Sequence, residues 1–306
     1  MIEGMTSPDI PSRRAELARF LRAMRARVTP EDVGLPRHGT RRTPGLRRQE
    51  VAQLAAVSID WYIRVEQGRA GAPSAAVLDA IAEALRLSPA EREHLHLLAR
   101  ADEHPRPRSH PHAPLPPSLK YLLQGMPLIP AYVVDFRFDI RAHNDAAAAL
   151  FGEEFGSGPR RNAAAILFED AEVRAMQLDW RRIARETVGN LRANQARHRD
   201  DEQLSTLIDR LRAADADFAL WWEDRTVEER THGVKRLRHP EAGDVTVCYD
   251  YLSVGGIGGV GGVGGRPDLR LVTMTPADAA SEQGVRTLIA RHARRHAAEG
   301  IRTIAA

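Results

Sequence analysis

Cysteine is almost missing from this sequence. One residue, Cys248, stands among 306, so no disulfide forms within the chain, and a reducing, cytoplasmic setting is expected. No run approaches the roughly 18 apolar residues that a membrane span needs, and Met1–Arg14 lacks the apolar core of a secretory signal. Lysine is scarce too: only Lys120 and Lys235 occur, so 42 of the 44 basic residues are arginine. Together with the many alanines, that bias is what a GC-rich genome leaves, and it carries little functional weight. Also absent is any Ser/His/Asp or paired-carboxylate arrangement, which argues against an enzyme. Glu223 and Asp224, beside Trp221 and Trp222, read as a helix end.

What is present is a local basic footprint. The formal net charge is only +3, but Pro11 to Ala72 carries 13 Arg against 6 Asp plus Glu. The same stretch belongs to a region, Met1 to Arg100, that reads as helical throughout. Leu17, Phe20, Leu21 and Met24 recur at helical spacing, as do Val77, Leu78, Ile81 and Leu85, then Leu95, Leu97 and Leu98. Ser74 and Ser88 stand where helix caps belong, and Ser88-Pro89-Ala90-Glu91 combines proline at the first helical position with a capping-box glutamate.

Within it, Arg47–Ala55 and Ser58–Gln67 form two helical patterns separated only by Ala56 and Val57, which is the layout of a helix-turn-helix. Val51, Ala52, Ala55, Val57, Tyr62 and Val65 would pack inward against the first helix. Left outside are Ser58, Ile59, Asp60, Ile63, Arg64 and Gln67, with Trp61 on the margin, and these are the candidates for reading base edges in the major groove. Arg41, Arg42, Arg47 and Arg48 flank that helix as phosphate anchors. Asp60 is awkward near phosphates unless it accepts from a cytosine amino group or pairs with Arg64; both remain open.

Prolines 105, 107, 111, 114, 116 and 117 then break the helical pattern and mark a stiff linker. Beyond it the pattern turns mixed. Ala131–Asp135 and Ile140–His143 read as a hairpin, Asp145–Leu150 as a helix, and 162–224 as mostly helical. Val234–Arg238, Val245–Val254 and Leu269–Thr275 read as strands, and a last helix runs from Ala277 to about Glu299. That is an α+β layout with one antiparallel sheet covered on a face by helices.

Several features imitate sites. Gly256, Gly258 and Gly261 have dinucleotide-loop spacing, but more glycine, Pro267 and a strand follow where a helix is required, so the run reads as a loop. His104, His110 and His112 lie in the proline-rich linker, without the packed surround a metal site needs. Cys248, inside a strand, reads as packed. No cofactor and no metal are implied.

The segments RRTPGLRRQEVAQLAAVSIDWYIRVEQGR and PSAAVLDAIAEALRLSPAEREHLHLLA closely resemble the MmyB-like branch of Xre-type, lambda-repressor-like transcriptional regulators. The resemblance continues through RAHNDAAAALFG, RNAAAILF and HGVKRLRHPEAGDVTVCYDYLSV, and so covers about Ala15 to Thr275. It implies a five-helix DNA-binding domain at 12–100, a linker at 101–117, a PAS-like sensor at 118–276 and a C-terminal helix at 277–306. Fatty-acid-like ligands are among those suggested for such sensors. Two departures stand out: Ala56 occupies the turn position where the family usually has glycine, and the glycine-rich run 255–265 replaces a short loop.

The expectation is therefore a homodimeric regulator of double-stranded DNA, with no membrane association and a C-terminal domain that senses a small apolar molecule. Tyr132, Asn144, Trp180, Trp222, His239 and Tyr249 are the candidate ligand contacts. Each has an ordinary reading beside the functional one: the aromatics as core, Asn144 as a helix cap. The alternative for the whole domain is a ligand-free dimerisation or protein-interaction module.

Overall fold

A computed structural model of the chain describes residues 13–36, 45–69, 73–99, 115–225, 227, 231–254 and 269–304. Arg41, Arg42, the linker 101–114 with His104, His110 and His112, and the glycine-rich run 255–265 lie outside the described residues. The chain folds as two compact units, one of Met1–Arg106 with Trp222–Glu228, the other of Pro107–Trp221 and Glu229–Ala306.

The first unit contains α1 (Arg13–Arg27), α2 (Arg48–Leu54), α3 (Ile59–Glu66), α4 (Ala75–Ala84) and α5 (Pro89–Ala99). The predicted apolar stripes are its core: Leu17, Phe20, Leu21, Met24, Val51, Tyr62, Val65, Leu78, Ile81 and Leu95 are buried, while Val57 is only half-buried. Local chemistry sets the helix ends. Ser58 Oγ accepts from Trp61 N at 3.2 Å and Ser74 Oγ from Val77 N at 3.4 Å. At α5 the capping box is reciprocal, since Ser88 N donates to Glu91 (2.8 Å) and Glu91 N to Ser88 Oγ (3.3 Å).

The turn between α2 and α3 is a Schellman motif. Val57 N donates to Ala52 O (3.0 Å) and Ala56 N to Gln53 O (3.2 Å), with Ala56 in the left-handed region at φ 53°. Helix α3 ends the same way on Gly68 at φ 69°, where a Cβ would meet Arg14 O at 2.7 Å. A left-handed alanine costs about 1 kcal/mol that glycine would not, so the departure at Ala56 stores strain.

The second unit opens with α6 (Pro117–Gln124), then β1 (Ala131–Val134), β2 (Ile140–His143) and α7 (Asp145–Phe151). Next come α8 (Ala163–Glu169), α9 (Ala171–Met176), α10 (Trp180–Arg197), α11 (Glu202–Ala214) and α12 (Ala216–Glu223), of which Trp222 and Glu223 count with the first unit. The second unit closes with β3 (His232–His239), β4 (Gly243–Ser253), β5 (Arg270–Pro276) and α13 (Ala279–Ile304). The five strands form one antiparallel sheet in the order β2-β1-β5-β4-β3, the α+β architecture expected. Helix α6 was not foreseen: Pro117 starts it at N1, where the missing N–H does no harm. Its Leu119 and Leu123 pack on Ala131, Val133 and Leu271. Because strand residues alternate faces, Tyr132, Val272 and Tyr251, which share a register row, point to the other side.

Candidate nucleic-acid interface and ligand cavity

On α3 the amphipathic pattern leaves Ser58, Ile59, Asp60, Arg64 and Gln67 exposed and Trp61 and Ile63 half-buried. The expected reading face thus exists as one surface. Gln67 Oε1 accepts from Arg69 at 2.5 Å. Asp60 makes no ion pair with Arg64, nor with any other cation among the described residues.

Arg47 and Arg48, at the start of α2, are both exposed, yet their settings differ. Arg47 caps α2 through its backbone N–H, which donates to Glu50 at 2.6 Å. Arg48 is tied by Nε to Glu66 Oε2 at 2.6 Å. Glu66 is fully buried and its other oxygen accepts twice from Arg25, at 2.7 and 3.2 Å, while Arg25 also donates to Leu46 O at 2.7 Å. This triad locks the end of α3 to α1 and to the start of α2. The sequence carried a signal for it: Tyr62, Val65 and Glu66 follow the i, i+3, i+4 spacing of the buried stripe, and a carboxylate on such a stripe requires a cation.

In the second unit, the inner sheet face and helices α7–α10 enclose a cavity of about 50 Å³. Its walls are mainly apolar, including Phe138, Phe151, Phe155, Ile166 and Val173, with Tyr132, Tyr251, Gln177, Thr187 and Lys235 supplying polar atoms. Burial drives the Tyr132 hydroxyl well above its ordinary pKa and Tyr251 up to about 12. Lys235 is pushed down to about 8 by burial, against the pull of Glu186 and with the help of Arg182. Among the described residues the buried Gln177 Oε1 atom has no hydrogen-bond partner, an arrangement that ordinarily signals a water or ligand site.

Outside the cavity lies a groove of about 540 Å³ formed by α7, α9 and the β3–β4 turn, with Arg238, His239, Glu241 and Arg295 at its rim. Phe151 and Val173 line both spaces, so these two side chains are the wall between them.

The expected ligand contacts fall in different places. Tyr132 lines the cavity, and His239 lines the groove, where burial lowers its pKa. Tyr249 sits behind the cavity wall: its hydroxyl donates to Glu186 at 2.8 Å and its ring faces Lys235 Nζ at 5.1 Å. Asn144 caps α7 and saturates its amide elsewhere, Oδ1 accepting from Ala131 N and Ala147 N at 3.0 Å, Nδ2 donating to Met126 O and Ile129 O at 2.9 Å. Trp180 is core, its indole N–H on Leu167 O at 2.8 Å and its ring under Arg174 at 3.4 Å. Trp222 is buried and borders neither space. Lys235 and Gln177 were not foreseen, although Lys235 alternates with the buried Leu237 and His239 along β3. Cys248 is a free, half-buried thiol.

No described helix is long and apolar enough to cross a membrane. Against known families, residues 115–288, over half of the chain, match the model of the MmyB-like transcription regulator ligand binding domain, and residues 16–95 match that of a helix-turn-helix domain. Neither is an enzyme family. No curated protein matches the chain.

Proposed function

Since the chain belongs to the MmyB-like transcription regulators, we propose that it reads a specific operator with the exposed face of α3 and responds to an apolar, acid-headed molecule held behind β1. Ser58, Ile59, Asp60, Trp61, Arg64 and Gln67 meet base edges, while Arg41, Arg42, Arg47 and Arg48 hold phosphates. The protein works in the cytoplasm as a homodimer whose two α3 helices must match half-sites about 34 Å apart, and the ligand acts by changing that spacing.

The observation that carries the ligand reading is that Lys235 and Gln177, whose side-chain oxygen is unsatisfied among the described residues, both line an otherwise apolar, aromatic-lined cavity. An acid group would neutralise the first, and the Gln177 amide, turned over, would donate to it. A fatty-acid-like chain would run past Phe151 and Val173 into the groove, displacing the wall they make.

The second reading, a ligand-free dimerisation module, is favoured by the free volume. About 50 Å³ is room for a water or two, whereas small-molecule sites are usually several hundred Å³. Native mass spectrometry of the purified protein separates the two. A retained apolar acid that is lost in Lys235→Met supports the sensor; an empty protein that takes up no added fatty acid supports the module. Selection of bound sequences from a random DNA pool tests the operator, with a two-fold symmetric site as the expected outcome.

A further inference from the structure

Away from the cavity, the sheet and the reading face, one cluster of ligating side chains has no part in the functions above. His292 and His296 are four residues apart on α13 and therefore share a face. Both reach Glu153, in the loop after α7: His292 Nδ1 lies 2.8 Å from one carboxylate oxygen and His296 Nε2 2.8 Å from the other. The three donor atoms all lie within 4.8 Å of one another. His292 is only 4% exposed, and its Nδ1 has no properly aligned hydrogen bond despite the short contact. His292 Nδ1 is thus buried and 2.8 Å from a carboxylate oxygen without being aligned to hydrogen-bond it, a placement in which both atoms can face one cation.

We propose that Glu153, His292 and His296 bind one divalent transition-metal ion of the zinc class, which clips α13 to the end of α7. Two imidazoles and one carboxylate are the donor set such a borderline cation prefers, with a fourth position left for water. Donors about 2.1 Å from a tetrahedral ion stand about 3.4 Å apart, somewhat more than the 2.8 Å His–Glu contacts and inside the 4.8 Å that bounds all three atoms. Glu153 and His296 are exposed side chains, and the adjustment required is a fraction of an ångström. Among the described residues the competing arginine is Arg295, with Nε 3.8 Å from Glu153, but Arg295 and Arg291 also hold Glu241, at 3.1 and 3.2 Å. Arg295 thus keeps an acid when Glu153 turns to the metal. Because Arg295 lines the groove and Glu153 follows Gly152 in its wall, the ion would stiffen the groove mouth.

The test is calorimetric titration of the full, chelator-stripped chain with zinc chloride, paired with zinc X-ray absorption. One ion per chain with two imidazole ligands is expected. His296→Ala and Glu153→Gln, both surface changes, should each weaken it by at least about 100-fold, more than loss of an outer-sphere partner does. Added zinc should raise the melting midpoint of the parent by several degrees and leave both variants unchanged. A chain with His104, His110 and His112 all changed to Ala should bind as the parent does. Binding that survives His296→Ala and Glu153→Gln, binding lost in the linker variant, or no zinc uptake by the folded chain would each overturn the assignment.

Discussion

Glu66 offers the sharpest test of how the DNA-reading unit is held. Its side chain is 0% exposed, Arg25 is 11% exposed and Arg48 is 43% exposed, so the two ion pairs of the triad differ in kind. Replacing Glu66 by Ala leaves the Arg25 guanidinium buried beside an empty space, with Leu46 O as its remaining partner. Loss of one member of a buried pair costs roughly 3–5 kcal/mol, a large share of the 5–15 kcal/mol that a domain usually has. Arg48→Ala removes a half-exposed partner and should cost at most about 1 kcal/mol. Hydrogen exchange read peptide by peptide on the full chain separates the two units. Glu66→Ala should accelerate exchange across α1, α2 and α3 by roughly two to three and a half powers of ten, and Arg48→Ala by less than one. In DNA binding the order reverses, because Arg48→Ala should lower the slope of log affinity against log salt by about 0.9 while barely affecting the fold. Equal acceleration by the two substitutions would show that Arg25 does not depend on Glu66, and the locking role given to the triad would fail.

Other perturbations address other parts of the structure. Ala56→Gly should stabilise the helical unit by up to about 0.6 kcal/mol, about 1 kcal/mol of left-handed strain relieved less about 0.4–1 kcal/mol for the extra freedom of the unfolded chain; calorimetry showing a clearly lower midpoint would contradict the turn geometry. Arg64→Ala should relax base preference with little change in salt slope, whereas Arg47→Ala should weaken cognate and scrambled DNA alike; equal losses on both sequences for Arg64→Ala would remove it from the reading face. Affinity for a fatty acid should be full about a unit or more below pH 8, where Lys235, pushed down to about 8, is charged and the fatty acid is still ionised, and should fall by up to about tenfold per pH unit above it. Displacement of a fluorescent fatty acid across that range should give a flat profile for Lys235→Met, and the same falling profile in both proteins would rule Lys235 out.

What the sequence alone determined lies within about four residues along the chain or in the make-up of short runs. Ser58, Ser74 and Ser88 fix helix starts because a cap bonds to a backbone N–H three residues on. The exposed face of α3 followed from 3.6-residue periodicity, and β1 to β5 from short runs rich in valine, threonine, tyrosine and other strand formers between turn signals. Helix α6 escaped because eight residues behind two prolines carry too little pattern to stand out. Tertiary structure decided everything that depends on which distant segments meet. Glu66 finds Arg25 41 residues away, Glu153 finds His296 143 residues away, and Gln177 comes to line one cavity with Lys235 only because α9 and α10 close over the sheet. It also assigned the polar residues their work, saturating Asn144 and the Trp180 indole on backbone carbonyls while leaving Gln177 with an unsatisfied oxygen. No local rule contains that information, because desolvation and pairing are properties of a packed neighbourhood, not of a residue and its chain neighbours.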